Sequence, residues 1–312
     1  FMGVERCRQH WRYLVARYGA YPVTWCLAGE ATMPTYARHG TPELDRDREI
    51  QKAGWTEVAR YVRELDPWHN PVTVHPSWMV PARASLADAS LVDFDMLQTG
   101  HSGYTSLVPS VEAMREAVSQ EPRIPVLNSE VCYEGIMGGS KDEIQRFLFW
   151  TSMLQGACGH TYGAQGIWAM SSRDEPFKGT TGSWGDGFWQ DVMHYPGSAH
   201  VGTGAQILRR YPWWRLAPTA QAASAGEEGV PFRFVARIPG KLIIAYLPPN
   251  CLPWADPFPL DLEPGVHYEA AFHNPRTGQS VPVGGVTPED GQWMPPRKPT
   301  MEDWVLVLEA SR

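Results

Sequence analysis

Long apolar segments are missing from this chain of 312 residues. No run approaches the roughly 20 apolar residues that a membrane-spanning helix requires, so we expect no membrane partner. The opening residues, FMGVERCRQHW, also lack the pattern of a signal peptide. Because the chain opens on Phe1 and reads as a helix almost at once, we expect a truncated N-terminus, and this expectation leaves the cellular location open.

A surplus of positive charge is missing too. The chain has 27 Lys and Arg against 34 Asp and Glu, a formal net charge of −7, and its basic residues are scattered. Proteins that bind nucleic acids neutralise phosphates with a basic patch or stripe. We therefore expect no nucleic-acid partner.

Paired cysteines are the third absence. The chain has five widely spaced cysteines and no C-x-x-C pair that would indicate zinc or redox chemistry. Most are expected to be small buried hydrophobic residues. The sequence thus predicts no metal site of this kind and no cofactor, and it does not indicate the oligomeric state.

Apolar strands alternate with amphipathic helices over residues 1–218. Strands are predicted at 22–29, 70–76, 93–102, 124–130 and 159–170, and helices at 4–19, 47–67, 108–120, 141–157 and 197–218. In the helix at 47–67 the inward residues are predicted to be Ile50, Ala53, Val58, Val62 and Leu65. This alternation predicts an α/β fold with a parallel sheet: a partial (β/α)8 barrel that holds strands four to eight.

The remaining residues, 219–312, have short strands separated by Pro and Gly. They predict a small C-terminal antiparallel β-sandwich domain without a catalytic group. Its segment DWVLVLE alternates like a half-buried strand, with Trp304, Leu306 and Leu308 on one face.

Polar and aromatic residues are predicted to end the barrel strands: Glu30, His75, His101, Glu130 and Trp168. The carboxyl ends of barrel strands form the active face. Glu30 ends the strand in TWCLAGE and Glu130 ends the one in IPVLNSE. Two carboxyl groups about 5–5.5 Å apart are what a retaining glycoside hydrolase needs, one as acid/base and one as nucleophile.

Four segments resemble the apiosidase-like glycoside hydrolases, a (β/α)8 family of a large retaining clan: WCLAGE, PVLNSEVCYEG, GACGHTYGAQGIWAM and YPWWRLAP. The C-terminal FHNPRTG and EDWVLVLE resemble the small domain, labelled collagen-binding, that follows those barrels. The resemblance implies that Glu30 is the acid/base and Glu130 the nucleophile. The family often has Asp at the first of these positions, and here Glu30 is one methylene longer.

Further residues are candidate contacts for a carbohydrate substrate. His75, His101 and Tyr104 can donate hydrogen bonds to sugar hydroxyls, and Trp168 is placed to form an aromatic floor beneath the sugar, as is common in this clan. Glu134, in CYEG, is a rival nucleophile but more plausibly binds substrate. The loop after Trp168 is expected to add sugar contacts, with Trp184, Asp186 and Trp189 as candidates.

Two alternatives stay open. His75, His101 and Asp174 could be ligands of a metal-dependent hydrolase on the same fold. A barrel that lacks three strands could also be an inactive carbohydrate-binding protein. The sugar and its linkage are not predicted, although the family name suggests side chains of plant or other complex polysaccharides.

Overall fold

A computed structural model describes residues 3–33, 40–177, 187–219, 234–249 and 258–311. The helices are α1 (Gly3–Tyr18), α2 (Pro42–Leu65), α3 (Leu107–Ser119), α4 (Asp142–Leu154), α5 (Trp189–Val192) and α6 (Pro196–Leu208). The strands are β1 (Trp25–Cys26), β2 (Val72–Thr73), β3 (Asp95–Gln98), β4 (Val126–Glu130), β5 (Gly159–His160), β6 (Ala217–Pro218), β7 (Phe234–Ile238), β8 (Leu242–Leu247), β9 (Leu260–Asp261), β10 (Tyr268–His273), β11 (Ser280–Val286), β12 (Gln292–Trp293) and β13 (Trp304–Ala310). Within the described ranges, no helix has the length and apolar character needed to cross a membrane.

The chain divides into two compact units. The first contains Phe1–Gly100 and Ala113–Glu130, and the second contains His101–Glu112 and Val131–Arg312. The second unit therefore includes both α4 and the C-terminal strands. The predicted domain boundary at residue 218 stays a prediction.

In the first unit, neighbouring strands are parallel and follow chain order. β1 pairs with β2 and β3 pairs with β4, both in parallel register. A backbone hydrogen bond of 2.9 Å from Asp93 N to Val72 O connects the starts of β2 and β3. This is the order of consecutive parallel strands in an α/β fold, with α2 between β1 and β2 and α3 between β3 and β4.

Helices α1 and α2 cover β1 and β2 with a shared apolar core. Val15 of α1, Val58 and Val62 of α2, and Trp25 of β1 are all buried in it. The prediction that Ile50 and Ala53 face inward is wrong, because the side chain of Ile50 is 58% exposed and Ala53 is exposed as well. The buried face of α2 instead runs through the i, i+4 pair Val58 and Val62, and Ile50 lies two turns before it on a different side of the helix.

In the second unit, a six-stranded antiparallel sheet has the order β11-β10-β13-β8-β7-β6. One face carries a core that includes Leu260 of β9. The other face meets α4, where the rings of Phe147 and Phe234 pack edge to face at 5.7 Å and those of Trp150 and Tyr246 stack at 6.2 Å. The helix therefore belongs to the same packed core as the C-terminal sheet.

Strand β13 is central in that sheet. Trp304, Leu306 and Leu308 share one core cluster, as predicted. The expectation of a half-buried strand is wrong, because Val305 and Val307 on the opposite face are only 0% and 3% exposed. Alternation cannot reveal a covered second face when both faces carry apolar residues.

A buried ionic cluster links α4 to the residue before β13. Arg146 Nε donates to Asp303 Oδ2 at 2.8 Å, and their side chains are 3% and 0% exposed. Asp303 also accepts from Arg276 NH1 at 2.5 Å and from the hydroxyl of Tyr246 at 3.1 Å. The carboxylate thus has three donors, which is how a buried charge remains satisfied.

Candidate functional site

Glu30 lies in a turn that follows β1. Its backbone carbonyl accepts from Met33 N at 2.9 Å, and its φ of +46° is left-handed, a conformation uncommon for a residue with a side chain. The side chain is held in place because Gln98 Nε2 donates to Glu30 Oε1 at 3.2 Å.

The chain after β2 runs alongside the chain after β1. His75 N donates to Ala28 O at 2.9 Å, and Ala31 N donates to His75 O at 3.0 Å. Parallel pairing therefore continues beyond the two-residue strands, and these hydrogen bonds hold His75 at the level of the Glu30 turn.

Glu130 is the last residue of β4. In the parallel register it is the partner of Gln98, and its carbonyl accepts from Thr99 N at 2.9 Å. Gln98 therefore contacts Glu30 through its side chain and is aligned with Glu130 through its backbone. Gln98 is therefore in contact with one candidate catalytic residue and paired in the sheet with the other.

His75 and Glu130 form a close pair. The distance from His75 Nε2 to Glu130 Oε2 is 2.7 Å, and the side chains are 15% and 16% exposed. Ser129 Oγ lies 3.3 Å from the other ring nitrogen, Nδ1, and donates to Leu97 O at 2.8 Å. The pair is thus partly shielded from water, which strengthens the interaction between its two groups.

A cavity of about 370 Å³ adjoins this group. It is lined by His75, by residues 26–29 at the end of β1 and just beyond it, by Trp55 of α2 and by residues of α1 that include His10 and Trp11. Its volume is at the lower end of the range for small-ligand sites.

His101 and Tyr104 do not end a strand. β3 stops at Gln98, and both residues lie beyond it, in the second unit. The ring of His101 is 4.4 Å from that of Tyr133. Tyr104 is 62% exposed and donates to Glu143 Oε1 at 2.7 Å, a contact that raises the pKa of its phenol to about 12. Tyr104 is therefore a neutral hydroxyl at the surface of its unit.

Glu134 is buried, with only 3% of its surface exposed. Its Oε2 accepts from the hydroxyl of Tyr162 at 2.6 Å and from Gly197 N, near the start of α6, at 3.0 Å. Burial raises the pKa of this carboxyl group, against the opposing effect of these two donors. This environment favours a structural role for Glu134 over contact with a substrate.

His160, in the same segment as Tyr162, is also enclosed. Neither of its ring nitrogens has a hydrogen-bond partner in the described part of the chain, and burial lowers its pKa to about 3. The imidazole is therefore neutral, and it packs edge to face against Phe149.

The prediction that Trp168 ends a strand is wrong. β5 stops at His160, and Trp168 lies in a turn. Its indole NH donates to Gln165 Oε1 at 3.2 Å, and its ring packs edge to face with Phe177 at 5.8 Å. Trp168 is 49% exposed, so its aromatic surface is accessible.

The loop after Trp168 contains three candidate sugar contacts, Trp184, Asp186 and Trp189. Trp189 is the first residue of α5 and is 42% exposed. Trp184 and Asp186 lie outside the described residues. Asp174 is exposed, and among the described residues no group of three or more His, Cys, Asp and Glu side chains is placed to hold a metal ion.

Two residues of the site were not predicted from the sequence. Gln98 is a buried polar residue and Ser129 a half-buried one, and both lie in strands, DMLQ and VLNSE. A polar residue in a predicted buried strand is the signal that indicates them, because such a group needs a hydrogen-bond partner.

The chain matches the family model described as "Apiosidase-like, catalytic domain" over residues 1–215. It is similar in fold to a solved structure described as a glycoside hydrolase, with a TM-score of 0.79 and 19% identity over 99% of this chain and 70% of that one. A family 5 glycoside hydrolase from Bacteroides vulgatus gives a TM-score of 0.76, with 16% identity over 99% and 67% of the two chains. Another Bacteroides vulgatus structure, described as a glycoside hydrolase on a provisional basis, gives 0.63, with 15% identity over 99% and 56%.

No curated protein matches the sequence. The family model covers well over half of the chain, and the structural similarities extend over nearly all of it. The chain therefore belongs to the apiosidase-like catalytic domain family of glycoside hydrolases.

Proposed function

We propose that the chain hydrolyses glycosidic bonds with retention of configuration, with Glu30 as acid/base and Glu130 as nucleophile. The substrates proposed are side chains of plant or other complex polysaccharides. One observation supports the assignment: Gln98 of β3 donates to Glu30, which follows β1, and is the strand partner of Glu130, which ends β4. Such strand ends are where this architecture places its chemistry.

The reaction proceeds in two displacements. Glu130 attacks the anomeric carbon while the protonated Glu30 gives its proton to the leaving oxygen, and the glycosidic bond breaks as an ester to Glu130 forms. Glu30 then takes a proton from water, whose oxygen attacks the same carbon and releases Glu130. Two inversions restore the original configuration.

The surroundings of Glu130 suit a nucleophile better than those of Glu134. Its side chain is 16% exposed and hydrogen-bonded to His75, whereas Glu134 is enclosed by Tyr162 and by Gly197 N. A nucleophile must reach the anomeric carbon, and the accessible carboxyl group can do so. We propose that Glu134 is a buried structural residue of the second unit.

The proposed sugar contacts are His75, His101, Tyr104 and Trp168. His75 and His101 carry ring nitrogens, Tyr104 is a neutral exposed hydroxyl, and Trp168 offers an accessible ring. Aromatic faces and polar hydrogens are the two kinds of group that sugars match. Assays with a panel of aryl pentosides and hexosides test which sugar these residues select.

The test uses the full chain with dinitrophenyl glycosides. Glu130→Ala is expected to abolish turnover, and azide is expected to restore it by attacking the anomeric carbon from the vacated face. Glu30→Ala is expected to retain the first step, because dinitrophenolate leaves without a proton. Glu57→Gln, an exposed residue of α2, is the control and is expected to behave like the unaltered chain.

Product configuration, followed by proton NMR, decides the mechanism. A product of inverted configuration would remove Glu130 as nucleophile. Loss of turnover on treatment with a chelator would favour the metal-dependent alternative, and binding of polysaccharide without turnover would favour the inactive carbohydrate-binding alternative.

A further inference from the structure

We propose that Ser129 is a positioning residue that fixes the protonation of His75 and thereby gives the His75–Glu130 pair one proton more than it would otherwise hold. The proposal rests on the function above only in taking Glu130 as the nucleophile. Its evidence is the hydrogen-bond geometry around the imidazole ring.

The hydroxyl of Ser129 has one proton and two close partners. Its Oγ is 2.8 Å from Leu97 O and 3.3 Å from His75 Nδ1. A backbone carbonyl can only accept, so the shorter contact requires the proton of Ser129. The oxygen of Ser129 is then left to accept from His75, and Nδ1 must be protonated.

The opposite side of the ring completes the argument. His75 Nε2 and Glu130 Oε2 are 2.7 Å apart, a hydrogen-bond distance that requires one proton between them. Since Nδ1 is already protonated, this is a second proton, and it lies on Nε2 because Glu130 must be ionised to act as the nucleophile. The imidazolium and the carboxylate together give the pair a net charge of zero.

Without Ser129 the pair can exist with one proton fewer. A neutral His75 with its proton on Nε2 would donate to an ionised Glu130, and the pair would have a net charge of −1. The other titratable groups near the ring are Glu30, whose turn is hydrogen-bonded to the backbone of His75, the thiol of Cys26, and His10 and Cys7 of α1, which line the adjoining cavity. The Glu30 side chain accepts from Gln98, and among the described residues Ser129 is the group that contacts Nδ1.

The extra proton has a consequence for the nucleophile. A charge-assisted hydrogen bond holds Oε2 of Glu130 at 2.7 Å and fixes the rotation of the carboxyl group at the end of β4. Ser129 therefore acts on the reaction through His75, without contact with the sugar.

The first test reads the imidazole directly and needs no turnover. In the full chain labelled with ¹⁵N-histidine, the ring signals of His75 are identified by their absence from His75→Gln. We expect a protonated Nδ1 at neutral pH. Ser129→Ala is expected to change His75 to the neutral form with its proton on Nε2, and Ser129→Thr, which retains the hydroxyl, is expected to preserve the original signals.

Either of two spectroscopic outcomes would overturn the proposal: an unprotonated Nδ1 in the unaltered chain, or ring signals that do not change in Ser129→Ala. These outcomes are independent of enzymatic activity. A chain that turns over no glycoside would refute the proposed function and leave the spectroscopic result intact.

The second test measures the effect on catalysis. Ser129→Ala is expected to lower kcat by between about 10- and 100-fold with little change in KM, because a misplaced reacting group costs rate more than binding. Ser129→Thr is expected to recover most of kcat. Loss of the Nδ1 proton in Ser129→Ala without a change in kcat would overturn the positioning role.

Discussion

Gln98 donates from Nε2 to Glu30 Oε1 at 3.2 Å, and in the strand register the same residue is the partner of Glu130. It is only 4% exposed. The buried amide of Gln98 thus restricts the side chain of Glu30. Because the backbone of Gln98 is paired with Glu130, the same residue connects Glu30 to the end of β4.

Gln98→Leu is expected to lower kcat/KM by about 10- to 100-fold, because a displacement of about 1 Å of a reacting group can cost on the order of 10²-fold in rate. Folding is expected to be preserved, since Leu is of similar size and Gln98 Oε1 has no hydrogen-bond partner among the described residues. Steady-state kinetics and a thermal melt check both parts. Gln120→Leu, at the end of α3, is the control, and an equal loss of activity in that variant would contradict the positioning of Glu30 by Gln98.

The sequence pattern identified three of the residues that meet in the first unit. An apolar run that stops at a polar residue correctly indicated Glu30, His75 and Glu130 as residues at or just beyond strand ends. Their hydrogen bonds through Gln98 and Ser129 were not predictable, because the partner of a polar group in a strand depends on the register between strands.

The same pattern failed at Trp168 for a physical reason. Gly166 adopts a φ of +98°, and a Cβ there would lie 2.3 Å from the carbonyl oxygen of Gly187. The backbone turns at Gly166 and is approached closely by another segment, so the strand cannot continue. An apolar run with a glycine inside it does not reveal such an approach.

The buried carboxyl group of Glu134 predicts a dependence of stability on pH. Burial raises its pKa in the folded chain above that of the unfolded chain, so the folded state holds more protons between the two values. The free energy of unfolding therefore falls as pH rises from the unfolded pKa to the folded one, by about 1.4 kcal/mol for each unit of difference.

Glu134→Gln removes this titration and keeps an oxygen that can accept from Tyr162 and Gly197 N. We expect the variant to gain stability relative to the unaltered chain as the pH rises above the unfolded pKa of about 4.3, measured by urea unfolding at each pH. Glu112→Gln, at an exposed position of α3, is the control. An identical pH dependence in Glu134→Gln and the unaltered chain would contradict the raised pKa.

Asp303→Asn is expected to destabilise the second unit by about 3–5 kcal/mol, because it leaves Arg146 and Arg276 without their buried counter-charge. Burial alone would lower the pKa of Arg146, and the carboxylates of Asp303 and Asp142 raise it instead. The guanidinium of an arginine is not deprotonated in proteins, so Arg146 stays charged when Asp303 is removed.

Urea unfolding of Asp303→Asn and of Asp191→Asn provides the comparison. Asp191 pairs with Arg173 at the surface, where both side chains are about half exposed, and such pairs contribute at most about 1 kcal/mol. Similar losses in the two variants would show that the buried cluster is not important for stability.

Two glycines of α6 provide a matched pair. A Cβ on Gly197 would lie 2.3 Å from Glu134 Oε2 and 2.8 Å from Gln145 Cγ, whereas a Cβ on Gly202 would have no atom within 4 Å. Neither neighbour of Gly197 can move freely, since Glu134 is held by Tyr162 and Gln145 donates to Cys132 O at 2.6 Å.

Gly197→Ala is therefore expected to destabilise the chain by about 1–3 kcal/mol, through overpacking and displacement of the Glu134 carboxyl group. Gly202→Ala, in the same helix, is expected to stabilise it by about 0.5–1 kcal/mol, because alanine loses less backbone entropy than glycine. Thermal and urea unfolding of both variants measure the difference in sign. If Gly197→Ala were as stable as Gly202→Ala, the close approach of α6 to the Glu134 carboxyl group would be disproved, and with it the burial that raises the pKa of Glu134.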